Sequence, residues 1–97
     1  MDVKKELTAR FTEAINKSFN RVPIVGPKWF KWHGKGKHPY FQFTGVRKLA
    51  KASDTKPQEI VKRILRHLDL DGFDVTVTTG ANSEVIVKFS KVPDGAR

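Results

Sequence analysis

Thr55-Lys56-Pro57-Gln58-Glu59-Ile60-Val61-Lys62-Arg63-Ile64-Leu65-Arg66-His67-Leu68-Asp69-Leu70-Asp71-Gly72-Phe73-Asp74-Val75-Thr76-Val77-Thr78 changes its hydrophobic period once, and that change decides the fold class. Up to Leu68 the apolar positions Ile60, Val61, Ile64, Leu65 and Leu68 recur at three and four residues, the spacing of a helix with one buried face. Thr55 and Gln58 stand at capping-box spacing with Pro57 in the first turn, and Lys62, Arg63, Arg66 and His67 fall on the opposite face. Asp69-Leu70-Asp71-Gly72 is turn chemistry, and beyond it apolar residues alternate with threonine, the period of a half-buried strand.

Working outward, Glu84-Val85-Ile86-Val87-Lys88-Phe89 alternates in the same way, and Gly80-Ala81-Asn82-Ser83 between the two runs predicts a β-hairpin. Towards the N-terminus, Thr44 is a candidate N-cap for a helix that carries Val46, Leu49 and Ala50 and ends by Ser53. Lys28-Trp29-Phe30-Lys31-Trp32 and Tyr40-Phe41-Gln42-Phe43 have strand composition, and they flank the glycine-rich, basic connection His33-Gly34-Lys35-Gly36-Lys37-His38-Pro39. Val22-Pro23-Ile24-Val25 suits a short edge strand. Val3, Leu7, Phe11, Ile15 and Phe19 lay an apolar stripe along a first helix over 2–19. The expected fold is α+β, an antiparallel sheet of three to four strands with three helices packed on one face. Residues 1–91 form one domain in this reading, and 92–97 form a flexible tail.

A chain of 97 residues supports one core and leaves no room for a cleft between two lobes. With no cysteine, disulfides, thiolate nucleophiles and cysteine-based metal sites are excluded. No apolar run reaches the roughly 20 residues that span a bilayer, so no membrane partner is expected; the expected location is intracellular, with the cytoplasm favoured. His33, His38 and His67 lack metal-ligand spacing, and the lysines around the first two would repel a cation. Gly34-Lys35-Gly36-Lys37 lacks the glycine spacing and following Ser or Thr of a nucleotide-binding loop. No nucleophile, base and carboxylate stand at catalytic spacing, so the chain reads as a non-enzyme with no cofactor and no metal.

The formal charge is +9, and it is concentrated. Between Glu13 and Asp54 there is no acidic residue, whereas Lys17, Arg21, Lys28, Lys31, Lys35, Lys37, Arg47, Lys48 and Lys51 all fall there. Phe19, Trp29, Phe30, Trp32, Tyr40, Phe41 and Phe43 lie in the same window. Cations interleaved with rings suit phosphate neutralisation beside base or sugar stacking, although most of these rings are expected to be core. Lys28, Lys31, Lys35, Lys37, Arg47, Lys48 and Lys51 are the candidate phosphate contacts, and Trp29 and Trp32 the candidate stacking rings.

The segments Lys48-Leu49-Ala50-Lys51, Lys56-Pro57-Gln58-Glu59-Ile60-Val61 and Leu68-Asp69-Leu70-Asp71-Gly72, in this order and spacing, resemble the N-terminal additional domain of arginyl-tRNA synthetases. The resemblance covers about residues 3 to 90. It implies a first amphipathic helix, strands, two helices and a terminal hairpin, and a domain that meets the elbow of tRNA by shape and phosphate. Where the family has a Phe-Gly-Asp-Tyr-type word followed by Asn, this chain has His38-Pro39-Tyr40-Phe41 with Thr44 at the asparagine position; its Gly80-Ala81-Asn82-Ser83 turn also departs from the family's close. Contacts made by those words are not carried over. The expected partner is therefore nucleic acid, with RNA favoured over DNA. The alternatives are DNA binding and a protein-interaction module that docks an acidic partner through Trp29, Phe30 and Trp32.

Overall fold

The computed structural model describes residues 3–19, 26–80 and 83–91; the expected edge strand at 22–25, the hairpin-turn residues Ala81 and Asn82, and the tail from 92 lie outside them. The described elements are α1 (Val3–Ser18), a 3-10 turn (Pro27–Trp29), β1 (Phe30–His33), β2 (Tyr40–Phe43), α2 (Val46–Ser53), α3 (Pro57–His67), β3 (Val75–Thr79) and β4 (Val85–Phe89). The four strands form one antiparallel sheet in the order β1-β2-β4-β3. The α+β class, with three helices and an antiparallel sheet, is as expected from the sequence.

Strand alternation sorts the sheet into two faces. Phe30, Phe41, Phe43, Val85, Val87 and Phe89 are buried, and the apolar stripe of α1, Val3, Leu7, Phe11, Ala14 and Ile15, is buried with them. Phe11 is the hub, with its ring centroid 5.4 Å from both Phe41 and Phe43 and 6.3 Å from Phe30. Val46, Leu49 and Ala50 of α2 and Ile60, Val61 and Ile64 of α3 complete the same core. Most of the apolar positions picked out by helical spacing are buried, but Leu65, expected on the buried face of α3, is 37% exposed, and Phe19 and Leu68 are only half-buried against the core. Rings and branched aliphatics meeting across the layers remove most of the apolar surface from water, the dominant stabilising term.

The helix starts differ from the sequence reading. α2 begins after Gly45, and Thr44 is withdrawn from capping: its N–H donates to the Trp29 carbonyl at 2.8 Å and its hydroxyl to the same oxygen at 3.3 Å. Thr44 thereby prolongs the β1–β2 ladder beyond Phe43. At α3 the N-cap is Lys56 with no side-chain bond, because the Thr55 hydroxyl donates to the Ser53 carbonyl; Pro57 does open the helix. Lys28 and Trp29, expected in the strand, wind instead into the 3-10 turn, closed by the Trp29 N–H donating to the Gly26 carbonyl.

The turn after α3 follows its sequence chemistry. The Asp71 N–H donates to Asp69 Oδ1, and Gly72 takes φ +91°. Arg10 on α1 ties this turn down: its Nη1 donates to the carbonyls of Asp69 at 2.9 Å and Asp71 at 3.2 Å, Nε bonds Glu6, and the guanidinium lies 5.1 Å from the centre of the Phe73 ring. Strand β3 is thus delivered to the free side of β4, leaving β2 and β4 in the middle of the sheet.

Candidate nucleic-acid interface

The register dictates which side chains share the face opposite the helices. Lys31 pairs with Gln42, Gln42 with Ile86 and Ile86 with Thr78; His33 pairs with Tyr40, Tyr40 with Lys88 and Lys88 with Thr76. These eight residues, in two rows across four strands, are all exposed or half-exposed. None is acidic; the nearest carboxylates in sequence, Asp74 and Glu84, stand at the two ends of the β3–β4 side.

Within this face a polar and aromatic cluster is pre-arranged. The His33 and Tyr40 rings stack with centroids 4.3 Å apart and planes 18° apart. In the Nε2-protonated tautomer His33 donates to Gln42 Oε1 at 3.1 Å, which orients the amide and leaves its N–H groups unused. The Tyr40 hydroxyl has no hydrogen-bond partner among the described residues. A shallow open groove of about 420 Å³, lined by His38, Thr76, Thr78, Lys88, Phe89 and Ser90, adjoins the cluster. Flat rings, amide and hydroxyl donors and ammonium groups on an open sheet can stack a base and neutralise the phosphates beside it.

Of the candidate residues from the sequence, Lys31 lies on this face, and Lys35 and Lys37 project from the loop beyond its His33–Tyr40 end. Lys28 precedes the opposite end of β1, and Arg47, Lys48 and Lys51 are exposed on α2, which follows β2 at that same opposite end. The two tryptophans belong to the helical side. Trp32 pairs with the buried Phe41 and meets the Phe89 ring edge-on at 5.5 Å; Trp29 meets Phe43 edge-on at 6.3 Å under the Lys48 ammonium, 6.0 Å away. Glycines make room for both: a Cβ at Gly45 would collide with the Trp29 ring, and one at Gly34 would fall 2.6 Å from Trp32 Nε1. Gly36 takes φ +97°, so the two loop glycines are explained by an indole and a turn.

Sequence reasoning missed Tyr40, His33, Gln42 and Lys88 as site residues. The signal was present in the β2 alternation, where burying Phe41 and Phe43 sends Tyr40 and Gln42 to the other face. Placing His33 and Lys88 beside them requires the register. Among the described residues no group of His, Asp and Glu is arranged to hold a metal ion, and no helix is long and apolar enough to cross a membrane.

Comparison with family models, curated proteins and solved structures finds no match to this chain.

Proposed function

We propose that this protein is a non-catalytic RNA-binding domain that takes structured RNA, such as tRNA, on the open face of its sheet. The observation that carries the reading is the composition of that face: eight strand side chains without a carboxylate, including Lys31, Lys88 and the stacked His33–Tyr40 pair. A sheet face kept only for solubility would mix both signs of charge and present few rings. The resemblance to the N-terminal additional domain of arginyl-tRNA synthetases supports RNA over DNA and tRNA over other RNAs. In this reading Lys31, Lys35, Lys37 and Lys88 neutralise phosphates, Tyr40 supplies a stacking surface and Gln42 a hydrogen-bonding edge.

The test is titration of a tRNA transcript with the wild type and the Lys31→Gln/Tyr40→Ala/Lys88→Gln variant across a salt series. The wild type is expected to lose affinity steeply with salt. The variant loses one stacking contact and two phosphate contacts, so its log–log salt slope is shallower by about 1.4 to 1.8. A variant that matches the wild type at low and high salt would refute the assignment. Preference for duplex DNA of equal length would move the reading to DNA.

A further inference from the structure

The cations read as one window along the chain are two clusters in space. Phe30 pairs with Phe43 and His33 with Tyr40, so the Lys35–Lys37 loop lies past one end of β1, and Lys28 with α2 past the other. Four strand residues set these ends roughly 10 Å apart, about one Debye length at physiological ionic strength. The two clusters also lie in different layers, since α2 packs its Val46–Leu49–Ala50 face into the core beneath the sheet. A backbone lying flat on the open face must turn around the end of the sheet to reach α2.

At the α2 end Lys28, Lys48, Lys51 and Lys56 are exposed and have no carboxylate within ion-pair distance among the described residues. Helix α2 carries no acidic residue. The other two helices carry carboxylates that pair with some of their cations, Arg10 and Lys17 on α1 with Glu6 and Glu13 and Arg63 on α3 with Glu59, while Lys4 on α1 and Lys62 and Arg66 on α3 stay outward without such a partner among the described residues. Between α2 and the start of α3 runs an open groove of about 430 Å³, lined by Arg47, Ala50, Lys51, Asp54, Thr55, Lys56 and Pro57. Asp54 is the one carboxylate among its described lining residues, beside the Lys51 and Lys56 ammonium groups. Like charges gathered at a concave junction repel one another, a cost that a polyanion lying across them removes.

We propose that Lys28, Lys48, Lys51 and Lys56 form a second phosphate-binding surface, which takes a stretch of RNA backbone separate from the one on the open sheet face. The proposal rests on the reading of that face as an RNA surface and adds a geometric requirement. Full affinity needs a folded RNA that offers backbone to both surfaces at once, because the second contact is then intramolecular. A strand short enough to be covered by the sheet occupies one surface only.

The experiment uses the full chain, a tRNA transcript and a tetranucleotide, with binding read by fluorescence anisotropy across a salt series. For Lys28→Gln/Lys48→Gln/Lys51→Gln/Lys56→Gln the log–log slope with tRNA is expected to shrink by about three, four contacts at about 0.7 to 0.9 each. Its tetranucleotide binding is expected to equal that of the wild type, which also reports an intact fold. An unchanged tRNA slope would overturn the second surface, and so would an equal loss with both RNAs, which would mean one shared surface. The Lys31→Gln/Tyr40→Ala/Lys88→Gln variant separates the two ideas. Tetranucleotide binding that this variant retains, and that persists when the four α2-side lysines are replaced as well, would strike the sheet-face reading.

Discussion

Tyr40 stands between His33 on one neighbouring strand and Lys88 on the other, on the face opposite the three described helices. Trp32, one strand away, points the opposite way and packs against Phe89. The two rings are therefore expected to fail differently when removed. Tyr40→Ala loses a stacking partner and weakens RNA binding by about fivefold to 150-fold, the equivalent of about 1–3 kcal/mol, with the urea midpoint nearly unchanged. Trp32→Ala opens space beside the core and lowers stability by about 2 kcal/mol or more, while the folded fraction binds RNA as before. Anisotropy titrations and urea unfolding of both variants check this; a Trp32→Ala that binds worse without being less stable would return the stacking role to the indole. The choice between these rings was not legible from composition, which ranks tryptophan first wherever cations are near. It was half legible from alternation, since the phase of Phe41 and Phe43 already assigned Tyr40 and Gln42 to the other face.

At the scale of elements, the helices and the hairpin were readable because their periods are long relative to any single exception. The beginnings of α2 and α3 were not, because a threonine that could cap a helix can also bond the preceding backbone, and tertiary placement decides between them. Thr44 was claimed by the Trp29 carbonyl once β1 and β2 paired, and Thr55 by the Ser53 carbonyl in the tight turn between the helices. The β1–β2 loop shows the same limit. Its two glycines serve the fold, Gly34 accommodating Trp32 and Gly36 a left-handed turn, so the loop's contribution to binding rests on Lys35 and Lys37. Replacing both by glutamine is expected to reduce the log–log salt slope for RNA by about 1.4 and to leave stability alone, because both side chains are exposed. A slope equal to that of the wild type would remove the loop from the interface.

Over the whole molecule, the acid-free window from Glu13 to Asp54 was visible as a run in the chain, but its division was not. Antiparallel pairing folds the run back on itself, sending Lys35 and Lys37 to one end of the sheet and Lys28, Lys48 and Lys51 to the other, with Lys31 on the face between. Lys88, outside the window, joins the face through its pairing with Tyr40. The result is an open, cationic, ring-bearing sheet backed by a helical layer in which several cations are already paired. The most direct test of this account is to record the amide and side-chain NMR spectra of the isotopically labelled protein while a tRNA transcript is added. The account predicts that the largest shifts fall on Lys31, His33, Tyr40, Gln42, Thr76, Ile86 and Lys88, with α1 resonances unmoved. Shifts centred on the outer faces of α1 and α3, or none at low salt, would contradict it.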